Sequence, residues 1–179
     1  MTELVIVSDT HGRIANWHNL YNAYPHHLIL HAGDHEQNVM EGIPDGAERI
    51  KAVRGNCDLE SSLPTERCFA WSGYQLMLVH GHLHHVKHSL LPLFYRGKEK
   101  GVQVIVFGHT HQPLVEVMDG ILFINPGSLV KPRGVPQGSY AMLSIEKGRW
   151  SVKYLTDQHQ PVAAWGMNGI IQDDLFITG

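Results

Sequence analysis

The sequence predicts an α/β fold with mixed β-sheets, and three observations point to it. Short apolar runs alternate with a helix-spaced segment through the first third, as in strands joined by crossovers. Glycine-centred turns between apolar runs dominate the rest, as in hairpins. The apolar share, 43% of 179 residues, is enough for an ordinary core, and a charged share of 17% argues against disorder. A mixed β-sandwich covered by helices on both sides fits the strand count.

Taken in order, residues 3–8 form a short apolar run that ends at Asp9-Thr-His-Gly12, which reads as a buried strand and a tight loop. Residues 14–23 carry Ile14, Trp17, Leu20 and Tyr21 at helical spacing. Residues 27–31 are a second strand, ending at Ala32-Gly-Asp34, and a weaker helical signal follows over 35–42. Residues 49–53 are a third strand, ending at Arg54-Gly-Asn-Cys-Asp58. Residues 66–71 and 74–79 flank Ser72-Gly73 as a hairpin whose second strand ends at His80-Gly-His82. Residues 87–100 read as a helix stopped by Gly101, with Pro92 inside it. Residues 102–107 form a strand ending at Gly108-His-Thr-His111. Residues 114–118 and 121–124 flank the turn Asp119-Gly120, and Asn125-Pro-Gly-Ser128 follows. Residues 138–145 and 150–155 pair around Lys147-Gly148. Residues 1–156 are read as one domain. In the tail, 157–179, the pattern fades and leaves its packing open.

Fourteen Lys and Arg against 17 Asp and Glu give a formal charge of −3. No basic face for sequence-independent binding of nucleic acid is expected. Cys57 and Cys68 make no disulfide framework. Met1 leads directly into Leu4-Val-Ile-Val7 without a charged, then apolar, leader, and no run approaches the roughly 18–20 apolar residues that span a bilayer. A cytoplasmic protein without a membrane partner is the expectation, with homo-oligomerisation left open.

The 14 histidines are unusual, and their positions carry chemistry. Five apolar strands each end in a residue able to bind metal: Asp9 with His11, Asp34, Asn56, His80, and His109 with His111. In α/β sheets ligands bind beyond the carboxyl ends of strands. Singly these segments are weak, because Gly-Asp and Gly-Asn are common turn pairs. As an ordered set they imply one crevice. Two carboxylates, an amide and four imidazoles suit Mn, Fe, Co, Ni or Zn, and two divalent ions, manganese foremost, are the expected cofactors. Seven ligands favour two metal ions over one closed four-ligand zinc. Two divalent cations against two carboxylates leave a site of about +2, suited to a small anionic phosphate ester. Two ions about 3.5–4 Å apart clamp both sides of an in-line displacement. Histidine ligands must be neutral, so metal is expected to leave below about pH 6.

Asp9-Thr-His11, Gly33-Asp34, Gly55-Asn56-Cys57-Asp58, His80-Gly-His82 and Gly108-His-Thr-His111 resemble the calcineurin-like metallophosphoesterase superfamily. Asn125-Pro-Gly-Ser128 and the short length resemble its small prokaryotic phosphodiesterase branch. The resemblance covers about residues 3–155. It implies a four-layer αββα sandwich and a dinuclear centre that hydrolyses phosphodiesters or phosphomonoesters without a covalent intermediate. By position, Asp9, His11 and His111 would hold one metal, and Asn56, His80 and His109 the other, with Asp34 bridging. Many members carry His where this chain has Cys57, and a thiol is a poor leaving-group acid. His82 is the candidate replacement. Asp58 is a candidate for orienting a ligand through a hydrogen bond, and Arg13 and Arg54 for contacting substrate phosphate. Tyr95 and Arg96 could reach the pocket from their helix. Asn125 and Ser128 are read as shaping the turn under the site, and His84, His85 and His88 as a solvated helix start. The competing readings are a non-catalytic metal-binding scaffold on the same fold and a metal-storage protein.

Overall fold

The structure, a computed structural model, describes residues 2–35 and 47–179. Beyond His35, the helix expected over 35–42 lies outside the described residues. The chain forms β1 (Thr2–Val7), α1 (Ile14–Ala23), β2 (Leu28–His31), β3 (Ile50–Ala52), β4 (Glu66–Trp71), β5 (Tyr74–Val79) and α2 (Leu91–Lys100). It continues with β6 (Val104–Val106), β7 (Pro113–Met118), β8 (Ile121–Pro126), β9 (Ser139–Glu146), β10 (Arg149–Thr156), β11 (Met167–Gln172) and β12 (Leu175–Thr178).

Two mixed sheets result. The first has the order β12-β11-β10-β9-β1-β2-β3 and the second β4-β5-β6-β8-β7. In the first, β1, β2 and β3 run parallel, with Leu4 opposite Leu28 and Ile29 opposite Ile50. In the second, β5, β6 and β8 run parallel, with Leu76 opposite Val104 and Val104 opposite Leu122.

Alternation along the strands builds four layers, because successive side chains point to opposite faces. Leu4, Ile6 and Leu30 of the first sheet pack against Leu76, Leu78, Val106 and Ile124 of the second, forming the inner core. The intervening residues Val5, Val7 and Ile29 face outward and bury Trp17 and Leu20 of α1. On the far side Met77, Val79, Ile105 and Phe123 bury Leu93 of α2. This is the αββα sandwich the sequence implied.

One detail differs from the sequence reading, and one that it left open is placed. The second helix starts at Leu91, not at residue 87, and residues 82–88 form a 3-10 turn and further turns. His85 adopts a left-handed backbone (φ 53°), and Ser89 Oγ accepts the Leu91 N–H at 3.1 Å where the helix begins. Pro92 falls in the first turn, where its missing N–H costs no helical bond. The tail, in turn, joins the first sheet. β11 pairs with β10 and β12 with β11, and Trp150 Nε1 donates to the carbonyls of Ile170 and Ile177 at 3.2 and 3.1 Å.

Candidate metal centre

The parallel strands of both sheets deliver their carboxyl ends to one place. Asp9 and His11 follow β1, Asp34 follows β2 and Asn56 follows β3. His80 follows β5, and His109 and His111 follow β6. Backbone bonds lace the loops together. Asp9 N–H donates to Gly33 O and His11 N–H to Asp34 O, both at 3.0 Å, and Gly108 N–H donates to His80 O at 3.1 Å. His109 N–H donates to Asp9 Oδ2 at 3.1 Å, tying the second sheet to the first. Asn125 Nδ2 donates to Gly108 O at 2.9 Å and Ser128 Oγ to Asp9 O at 2.8 Å, so both brace the loops from below.

The backbone is strained where the chemistry is expected. Asp9, His11, Asp34, His109 and His111 all have positive φ, between 43° and 70°. Side chains visit this region rarely, at a cost of roughly 1–2 kcal/mol per residue. Two glycines let the loops approach. A Cβ on Gly55 would run into Asp34, and one on Gly108 into Ser8 and Asp9. No other residue fits there.

The side chains form three overlapping clusters. Ligand atoms of Asp9, His11 and His111 lie within 4.8 Å of one another, as do those of Asp9, Asp34 and His80 and those of His11, Asp34 and Cys57. His111 Nε2 is 3.0 Å from Asp9 Oδ1, and His80 Nε2 is 3.4 Å from Asp34 Oδ2. His11 Nε2 is 3.3 Å from His111 Nε2. The other ring nitrogens decide what these contacts mean. His80 Nδ1 donates to Ala32 O at 2.7 Å, and His111 Nδ1 donates to Lys131 O at 2.6 Å. Each ring, when neutral, therefore points a lone pair from Nε2 at a carboxylate oxygen. Two acceptors facing each other need a cation or a proton between them. Metal-binding histidines have the same arrangement, with the far N–H held by a carbonyl. His80 Nε2 and Asp9 Oδ1 are buried without a hydrogen bond, which fits the same role. The residues present therefore suit divalent metal.

Electrostatics agree. Burial opposes the charged form of Asp9, but His111 and His80 outweigh it and hold the carboxyl below its usual range. Asp34 is likewise held well down against burial, by His80 and the Cys57 N–H. Burial pushes His80 down, yet Asp34 and Asp9 raise it overall. His109 is pushed down to about 4, by burial first and then by His80 and Lys87. Its ring centroid lies 5.0 Å from that of His80.

The remaining candidates sit around these clusters. Asn56 is exposed at the rim, and its neighbour Cys57 donates its N–H to Asp34 Oδ1 at 2.9 Å. Asp58 is buried, and its Oδ2 accepts from Asp34 N–H at 2.9 Å and Gly55 N–H at 2.7 Å. The His82 ring lies 5.3 Å from His80 and 6.1 Å from His109, and burial, then His80, lowers its pKa. Arg54 opens onto an adjoining groove with His84 and Arg96. Arg13 is exposed just ahead of α1, and Tyr95 is exposed on α2. Among the described residues, His84, His85 and His88 form no metal-ligand cluster.

One residue escaped the sequence reading. His31 is fully buried at the end of β2, beneath both ligand loops. Its Nδ1 accepts the Gly33 N–H at 3.2 Å, so the Nε2–H donates to Thr10 Oγ1 at 3.1 Å. It thereby links the Asp9–His11 loop to the Gly33–Asp34 loop, and Trp17 packs on its ring edge-on. A polar residue closing an otherwise apolar strand was the available signal. Burial holds His31 neutral, with a pKa of about 3. Below about pH 6.5 the unfolded chain takes up a proton that the folded chain refuses until about pH 3, so this residue's contribution to stability falls as the pH falls through that window. His31→Ala should cost about 3 kcal/mol at pH 7 and weaken metal binding about tenfold. The stability gap to wild type should narrow by about 2 kcal/mol at pH 5. Denaturant titrations at both pH values check this, and a gap independent of pH would show that His31 is not buried as a neutral ring.

Comparisons with known proteins identify the family. The family model for the calcineurin-like phosphoesterase superfamily domain matches residues 2–148. The probable metallophosphoesterase YsnB of Bacillus subtilis is 35% identical, over 84% of this chain and 89% of its own length. The phosphodiesterase YfcE of Escherichia coli K12 is 30% identical, over 88% of this chain and 95% of its own. A crystal structure of a predicted phosphoesterase from Streptococcus pneumoniae superposes with a TM-score of 0.85 at 26% identity, covering 94% of this chain and 97% of that one. The chain belongs to the calcineurin-like phosphoesterase superfamily.

Proposed function

We propose that this protein is a dinuclear metal-dependent phosphodiesterase that hydrolyses small anionic phosphate esters. The observation that carries the reading is the pair of histidines, His80 and His111. Carbonyls pin their outer nitrogens, and their inner nitrogens face Asp34 and Asp9. Asp9, His11 and His111 would hold one ion and Asn56, His80 and His109 the other, with Asp34 shared. Asp9 belongs both to the group with His11 and His111 and to the group with Asp34 and His80. When bound, two such ions, manganese in our reading, supply hydroxide for in-line attack at neutral pH and positive charge for both sides of the displacement.

The chain's own residues supply the rest. Asp58 fixes the Asp34 and Gly55 backbones from below. Arg54 and Arg13 flank the ligand loops as anion contacts. His82, at the edge of the His80 and His109 rings, is the candidate donor of a proton to the leaving oxygen, because the thiol of Cys57 is poorly suited to that task. Burial, then His80, lowers its pKa, which makes its protonated form a stronger acid than an ordinary imidazolium. No described helix is long and apolar enough to cross a membrane, and Cys57 and Cys68 form no disulfide.

The test is turnover of bis-p-nitrophenyl phosphate with added Mn²⁺. The expected result is metal-dependent release of p-nitrophenol, abolished by a chelator. Folded protein that is inactive on phosphate esters with each of several metals would sink the proposal.

A further inference from the structure

A groove of about 800 Å³ runs beside the centre, between the loop that carries Asn56 and the turn that follows His82. Its wall includes Arg54, Leu63, Pro64, Thr65, Leu83 and Arg96. Both ends of this wall are continuous in sequence with the site, since Arg54 is two residues from Asn56 and Leu83 follows His82. A single phosphoryl group and two ions do not need this space. Volumes of this order take drug-sized organic groups.

The charges of the wall are not equivalent. Arg96 is committed, with Nε and Nη2 on Glu66 at 2.8 and 2.9 Å and Nη1 on Glu99 at 2.7 Å. Lys100 also approaches Glu66, at 3.8 Å. Glu66 thus faces two cations, one of them shared with Glu99, and its carboxyl is held below its usual range, by the Arg96 hydrogen bond above all. No ion pair or hydrogen bond engages the Arg54 guanidinium among the described residues. The uncompensated charge on the wall is therefore one fork-shaped cation. Leu83, 60% exposed on the same wall, offers apolar surface together with Leu63 and Pro64. An isolated exposed leucine needs no explanation. Apolar surface and an unpaired guanidinium in one groove suit a planar ring linked to an anion.

We propose that this groove binds the second ester arm of the substrate, that this arm is nucleotide-like, and that Arg54 bonds a second phosphate on it. The proposal rests on the phosphodiesterase reading, since a monoester has no second arm. The ring lies on Leu83 and Pro64, and the second phosphate meets the guanidinium in bidentate fashion, as arginine favours.

The experiment compares thymidine 5′-(p-nitrophenyl phosphate) with its 3′-phosphorylated counterpart, using the whole chain and added Mn²⁺. The quantity read is the ratio of their kcat/KM values. Wild type should prefer the 3′-phosphorylated compound about tenfold. Arg54→Gln should bring the ratio close to one, and Arg54→Lys should restore part of it, as a point charge without the fork. No preference in wild type, or a preference that survives Arg54→Gln, overturns the proposal. Equilibrium binding of thymidine 3′,5′-bisphosphate against thymidine 5′-monophosphate, in the same proteins, separates the two layers of the argument. A binding ratio that collapses in Arg54→Gln supports the groove even without turnover, in which case only the hydrolase reading fails. Equal binding of the two nucleotides by wild type overturns the groove whether or not turnover occurs.

Discussion

Replacing Asp34 by Asn should lower kcat/KM on bis-p-nitrophenyl phosphate by at least about a hundredfold while leaving the fold intact. The two halves of this expectation come from different atoms. Oδ1 accepts the Cys57 N–H at 2.9 Å, and an Asn oxygen can take the same bond. Oδ2 faces His80 Nε2 at 3.4 Å and is where charge matters. His80 and the Cys57 N–H hold the carboxyl far below its usual range against burial, so Asp34 is charged at every working pH. Asn removes that charge and changes little else. Mutating the hydrogen-bond partners of metal ligands typically costs 10–100-fold, and a shared ligand should cost at least the upper figure. A hundredfold corresponds to about 2.7 kcal/mol of transition-state stabilisation. Steady-state kinetics with Mn²⁺ and a thermal melt check both halves. A folded Asp34→Asn protein that keeps more than about a tenth of wild-type activity would remove Asp34 from its bridging role.

The second large effect is expected at Asp58, which binds no metal in this account. One carboxylate oxygen, buried inside the site, takes two backbone N–H groups, from Asp34 and Gly55. Asp58→Ala leaves both donors buried and unpaired, at about 1–3 kcal/mol each. It also releases the backbone on either side of the candidate ligands Asp34 and Asn56. Stability should fall by about 2–6 kcal/mol and activity by 10–100-fold. Asp58→Asn keeps an oxygen in place and should lose far less stability. Urea titration of the two variants separates these outcomes. Equal stability of Asp58→Ala and wild type would reduce Asp58 to an ordinary turn residue.

The sequence made the frame of the site legible because the sandwich buries its parallel strands on both faces. Such strands read as unbroken apolar runs, and the first polar residue past each run marks its carboxyl end. Val104-Ile-Val106 followed by Gly108-His-Thr-His111 is the clearest case. The strained backbones of Asp9, Asp34 and His109 were not legible, because Asp and His reach positive φ only when surrounding contacts require it. His31 was hidden for a related reason. At the end of an apolar run it looks like a boundary, and only the fold shows that it joins two loops. The tail hairpin escaped because it hardly alternates. In β11 only Gly169 is buried, and in β12 only Phe176, which packs against Trp150 and Tyr74. The start of α2 was misplaced because the residue that holds its first N–H lies inside the segment read as helix: Ser89 Oγ takes the Leu91 N–H at 3.1 Å.

Metal stoichiometry read together with turnover decides whether the centre is dinuclear and catalytic. Metal-free, folded protein is dialysed against increasing Mn²⁺, and bound metal and hydrolysis of bis-p-nitrophenyl phosphate are measured on the same samples. Two tightly bound ions per chain are expected, with turnover rising as the second site fills. One tight ion, many weak sites spread over the 14 histidines, or turnover unchanged by metal would contradict a dinuclear catalytic centre.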